Sequence, residues 1–378
     1  MPSTGANLRH LFRLFILAGF LFVMCRPAFA QFDDGARYAF VGSESEKAVY
    51  IIDLYQRSKA TSLAFDVTPG PVVASDLLKT LIVGHADEKK LTLVDLMSKS
   101  LNRYEYSLDI RPDLVLVSPI GETVAILDRE QSVIEVHALR RKEVLVRIED
   151  VNTESDITFN PDGSIVYWVD QDQGSLHSID LWSQHKELKL TRDGHGLSAM
   201  SRSADGILGF ISNADTGTVY VVDLLDFTVT RSSQAGRSPE RPWGTADGQT
   251  MLVPNAAGGT VTAISALTGE VLYTVDAVRD PVSINPGWID TTAAVVGRDG
   301  TVVFLNIGDG AELGRVRLDN SPAAGVVTSD SKTLAIPVPA SGTMAFFDMR
   351  KRARMSSVGQ LPSDIGPAAL AISNNLCH

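Results

Sequence analysis

Cysteine is almost missing from this chain: Cys25 and Cys377 are the only two in 378 residues. That excludes an internal disulfide framework. Histidine is nearly as scarce, with seven residues and no HxH, HExxH or CxxCH grouping. Covalent haem attachment and the helical zinc-protease pair are therefore excluded. No Gly-x-Ser-x-Gly elbow, phosphate loop or dinucleotide fingerprint occurs, and the glycines fall in short hairpin-like turns, where they supply positive φ. Basic charge is in deficit, 34 Lys and Arg against 45 Asp and Glu for a net −11. A surface of that sign repels nucleic acid, and no nucleic-acid partner is expected. Long apolar runs are lacking too, since the best one, from Leu14 to Met24, is too short to span a bilayer.

That run has its own meaning. Arg9, His10 and Arg13 precede it, and Arg26-Pro27-Ala28-Phe29-Ala30 follow it. A basic start, a short apolar centre and an A-x-A ending predict a signal peptide over 1–30, cleaved near Ala30. Met24 and Phe22 ahead of Cys25 fit lipidation poorly, so simple cleavage is the expectation. The product would be periplasmic or secreted. Its charge falls to about −14, because three arginines and no acid leave with the leader.

What fills the remainder is a repeat. Strand-like runs such as VYIIDL, LTLVDL, LHSIDL and VYVVDL place Asp53, Asp95, His137, Asp180, Asp223, Ser265, Asn306 and Asp348 at one register, 41 to 43 residues apart. A period of this size belongs to a propeller blade or a solenoid unit. Each period holds four short runs rich in β-branched and aromatic residues, here labelled A to D, with Asp/Gly turns such as Pro161-Asp162-Gly163 between them. That is the signature of a four-stranded antiparallel meander. The first unit begins with a B-type run at Tyr38 and lacks an A run, while Ala368 to Ser373 match an A run with no blade of their own. Joining them would close a ring and remove both open edges. The predicted fold is all-β: an eight-bladed β-propeller over 31–373, closed by 368–373, with a tail at 374–378.

The Leu81-Ile82-Val83-Gly84 and Met251-Leu252-Val253-Pro254-Asn255 runs, with the VDL and IDL strands, resemble the YVTN-type repeat of bacterial envelope propellers. In architecture the chain is also similar to the eight-bladed haem propellers of cytochrome-type nitrite reductases and to quinone-binding dehydrogenase propellers. Those likenesses imply an alternative function, a cofactor-dependent oxidoreductase or a handler of cofactor or metal. Architecture alone does not fix function.

In a propeller the D-to-A and B-to-C loops share one rim, the usual binding face. The repeat register puts Arg192, His195, Arg237, Arg241 and Arg279 there, from three consecutive loops, a local basic surplus suited to an anion. Asp193, Glu240 and Asp280 lie beside them, so a solvated rim of ion pairs is the plainer reading. The register also places His85 on that rim, His137 and His177 within strands and His185 in a C-to-D turn. No catalytic residue and no cofactor is expected, with haem, quinone or a weakly held metal left open. The minority metal site is Cys377 with His378, whose thiol and imidazole suit copper or zinc. The expectation is a non-catalytic binding module for an envelope protein or small ligand.

Overall fold

The computed structural model describes residues 37–75, 77–151, 157–182, 184–192, 195–287, 289, 291–366 and 368–370. The expected signal peptide over 1–30, the expected tail with Cys377 and His378, and residues 371–373 of the expected closing strand lie outside them. Eight four-stranded antiparallel sheets follow one another along the chain. The fifth blade is typical, with strands A to D at Ser201–Arg202, Leu208–Asn213, Thr218–Asp223 and Thr228–Gln234. Contacts between successive A strands line them up around one axis and carry the ring from the last blade back to the first and second.

The first blade is completed as the sequence predicts. Ala368–Leu370 lies antiparallel to Tyr38–Ser43, pairing Ala39 with Leu370 and Val41 with Ala368. A latch precedes it: Asp364 accepts hydrogen bonds from Ser43 Oγ at 2.9 Å and from the Ser45 backbone N–H at 2.6 Å. The Gly366 N–H then donates to the Gly42 carbonyl at 3.1 Å.

Burial on both faces explains the strand composition. In Tyr38–Ser43, Phe40 faces a core shared with blade 2 through Leu81 and Val83, while Ala39 and Val41 face blade 8 through Ala335 and Phe346. The B and C strands therefore read as near-continuous apolar runs, as sheets covered on both faces do. Strand D forms the outer edge and is largely exposed, as in Thr228–Gln234.

The turns carry the remaining register. In every blade the backbone N–H after strand D donates to the carbonyl of a positive-φ residue in the B-to-C turn, for example Ala235 to Gly217 at 2.8 Å and Leu108 to Lys89 at 2.8 Å. The repeat aspartate closes the C-to-D turn. Asp53 Oδ1 accepts from the N–H groups of Tyr55 (3.0 Å) and Gln56 (2.9 Å), and Asp223 and Asp348 do the same in their own blades. The ring of acids is thus a set of separate Asx turns. On the A-to-B side, Gly206 has φ +73°, and a Cβ there would stand 2.4 Å from Pro161 Cδ of the neighbouring blade. Only glycine fits that approach.

Candidate functional site

The D-to-A loop of one blade runs over the B-to-C turn of the next. Backbone bonds fix the overlap: Ala214 N–H to Gly196 O (2.7 Å), Ala256 N–H to Ser238 O (2.9 Å) and Arg298 N–H to Asp280 O (3.0 Å). This stacking positions the five residues predicted for the rim.

Arg192 and His195 are exposed in the loop leading into blade 5, where Asn213 Nδ2 donates to the His195 carbonyl at 3.2 Å. Asp193, the expected neighbour of Arg192, lies outside the described residues. Arg237 is exposed one loop further on and donates from Nη2 to the Ala257 carbonyl at 2.9 Å. Arg279 follows in the next loop, also exposed, with its Cγ against Gly259. Arg237 and Arg279 therefore flank one turn, Ala257 to Gly259 of blade 6. Arg241 is half-buried, and its Nε donates to Ser201 Oγ on the inner strand of blade 5 at 3.1 Å. The structure brings Arg237 and Arg279 to one place, ties Arg241 to the inner wall and leaves Arg192 with His195 one loop earlier.

Arg279 opens onto a cleft of about 550 Å³ whose lining includes the buried Ala277 and Val278. Arg298 and Arg315 are the other cations lining it, with Asp280 and Asp299 between them. Arg298 takes Asp280 at 2.9 Å and Arg315 takes Glu312 at 2.8 Å. The acid expected to neutralise Arg279 is thus bonded to Arg298 instead. Hydrogen bonding by the Thr301 backbone and hydroxyl, with Arg317 nearby, holds the Asp299 carboxyl below its ordinary value despite partial burial. Burial pushes the half-buried Glu240 up, reinforced by Asp280 and opposed by Arg298.

Sequence reasoning missed Arg298 and Arg315. Arg298 sits in a B-to-C turn, Gly297-Arg298-Asp299-Gly300, whose glycines read as a plain hairpin, although that turn belongs to the same rim. Arg315 comes from a D strand, where alternation with the buried face was the available signal.

His137 and His177 lie within strands as expected, whereas His85 and His185 need correction. His85 is fully buried, because Nδ1 lies 3.0 Å from the Thr68 carbonyl and Nε2 2.9 Å from Thr92 Oγ1, so the loop folds over it. His185 begins a D strand and meets the buried His177, Nε2 to Nδ1, at 3.0 Å, with Trp168 against both rings. His137 is buried with Tyr106 and Glu135 as partners. Among the described residues no group of three His, Cys, Asp or Glu side chains is placed to hold a metal ion. A haem held by two rim histidines does not fit either, since His195 alone of the two rim candidates is exposed.

Ring and rim together define an eight-bladed β-propeller with a basic cleft on its D-to-A face. No protein-family model matches the chain, and no curated protein matches it in sequence. Solved structures do match in shape. Dihydro-haem d1 dehydrogenase NirN in complex with DHE superposes with a TM-score of 0.73 at 15% identity, over 93% of this chain and 78% of that one. Apo AztD from Citrobacter koseri gives 0.62 at 10% identity, over 88% and 96%. BamB from Moraxella catarrhalis gives 0.59 at 16%, over 79% and 90%. At these identities the likeness is one of fold.

Proposed function

We propose that the protein is a non-catalytic binding module of the bacterial envelope, periplasmic or secreted, that takes an anionic small molecule or an acidic segment of a protein partner on its D-to-A rim. The observation that carries this reading is the cleft at Arg279, whose neighbouring acid is bonded to Arg298, above an apolar floor of Ala277 and Val278. A guanidinium free of its own carboxylate, beside a second one held in place, suits a carboxylate or phosphate through charge-assisted hydrogen bonds. Citrate and pyrophosphate, titrated at low salt and followed by thermal shift, are the probes. Binding is expected, weakened about ten-fold or more by Arg279→Ala or Arg298→Ala, on the scale of one lost charge-assisted bond. Absence of binding, or binding indifferent to both substitutions, sinks the rim site.

The shape match to NirN favours a second reading, a cofactor-dependent oxidoreductase or a cofactor or metal handler. Protein isolated from the periplasmic fraction of its native cells separates the two. The binding-module reading expects a chain starting at Gln31 with no visible absorption and no stoichiometric metal. A chromophore or metal surviving dialysis would put the second reading first, and an intact leader would refute export by cleavage.

A further inference from the structure

The face opposite the rim, built from the A-to-B and C-to-D turns, has a different chemistry. Fifteen large apolar side chains are exposed among the described residues, and none of them lies on the D-to-A and B-to-C rim. Six stand on outer D strands, and the rest are on this opposite face. Tyr55, Met97, Trp182, Leu225 and Leu267 occupy the corner of their C-to-D turns two residues past the repeat position, with Trp182 77%, Leu225 71% and Leu267 70% exposed. The Asx bond fixes that corner outward, because Asp53, Asp95, Asp180 and Asp223 each hold the corner residue's own N–H. Leu77, Ile120, Ile207 and Ile289 add exposed apolar positions from the A-to-B turns. Scattered single residues of this kind are ordinary, but a ring confined to one face marks an interaction surface.

Charge on this face is divided into two arcs. Through blades 8, 1, 2 and 3 the exposed turn residues include Arg350, Lys351, Arg57, Lys99, Arg140 and Arg141, with Glu122 as an acid among them. Through blades 4 to 7 they include Asp162, Asp205, Asp226, Asp247, Glu270 and Asp309, and no described position of those turns is Lys or Arg. Each arc covers half the ring.

The geometry points to a second copy of this chain as the occupant, bound face to face about a two-fold axis. An isologous contact requires a self-complementary surface. An axis lying in the face along the boundary between the arcs sets blade 3 over blade 4 of the other copy, 2 over 5, 1 over 6 and 8 over 7. Every basic blade then meets an acidic one. Lys99 comes opposite Asp226, Arg57 opposite Asp247 and Glu270, and Arg350 opposite Asp309. The apolar corners coincide as well, Met97 with Leu225 and Tyr55 with Leu267. A lipid surface would attract one arc and repel the other, whereas a second copy satisfies both.

Sedimentation equilibrium of the purified protein tests this. A dimer is expected that weakens when salt rises from about 50 mM to about 500 mM, since exposed pairs are screened. Lys99→Glu and Asp226→Lys each reverse two symmetry-related contacts and should weaken it at least about five-fold, on the scale of exposed ion pairs. Neither side chain makes a bond that the fold needs, and the double variant K99E/D226K restores opposite charges and should recover the wild-type constant. Leu225→Glu should abolish association while leaving thermal stability and anion binding at the opposite rim unchanged. A protein that is monomeric at all concentrations, a dimer indifferent to these changes, or a monomer that instead cosediments with phosphatidylglycerol vesicles overturns the proposal.

Discussion

Two buried histidines make the fold sensitive to mild acid. Desolvation lowers the pKa of His85 from its ordinary 6.5, with Lys90 acting the same way and the Thr68 carbonyl, Glu105 and Glu88 opposing. Desolvation lowers His177 too, helped by His185 and Lys189 and opposed by Glu187 and Asp170, and its Nε2 is buried with no hydrogen-bond partner among the described residues. A depressed folded pKa means that the unfolded chain binds protons first as pH falls. Stability contributed by the neutral rings is therefore whole above about pH 6.5 and declines as pH drops toward the lowered values, by up to about 1.4 kcal/mol per pH unit for each ring. Glu240 acts in the opposite sense nearer its ordinary 4.5, because its folded pKa is raised. Thermal melts should lose midpoint between pH 7 and pH 5, and the H85Q/H177Q variant should show a flatter dependence. An unchanged slope in that variant would assign the acid sensitivity elsewhere. At this scale the sequence was only partly legible: His85 is the last residue of a B strand, a position that reads as rim, and nothing local reports that Thr68 and Thr92 close around it.

The closing strand is the element on which the ring depends most. Ending the chain after Gly366 would remove the antiparallel partner of Ala39 to Val41 and open an edge inside the body. The loss should be at least about 3 kcal/mol, in the range set by broken buried networks, and should lower the melting temperature of the whole protein. A truncation that melts like the full chain would show that the latch at Asp364 is sufficient by itself. Strands B and C, the Asx turns and the closure itself could be read in advance, because burial on both faces writes apolar runs at a constant period. The inner strands could not be bounded, since Thr158–Phe159, Ser201–Arg202 and Trp243–Gly244 have two residues each. Nor could the C-to-D turns, where Arg57, Lys142 and Phe227 adopt positive φ without being glycine, or the bulges in the C-to-D pairing beyond them.

For the whole molecule, the repeat separates two faces of different chemistry. One rim gathers arginines around a cleft with an apolar lining, and the other face carries apolar corners between arcs of opposite charge. The rim was visible in outline because register alone brings Arg237 and Arg279 to adjacent loops. Its chemistry was not, because whether Asp280 neutralises Arg279 or Arg298 depends on how the blade 6 loop lies over the blade 7 turn. Pairings across blades are set by the ring, and no local pattern encodes them. Among the described residues no helix is long and apolar enough to cross a membrane.

The partnership of Tyr38–Ser43 with Ala368–Leu370 also imposes an order in time. A ribosome delivers three strands of the first blade early and their inner partner only after seven further blades, so the growing chain carries an unfilled β-edge until residues 368–370 have been made. Any product cut short before residue 368 keeps that edge exposed. Ala368–Leu370 thus separates closed rings from fragments whose open edge is exposed to proteases and aggregation.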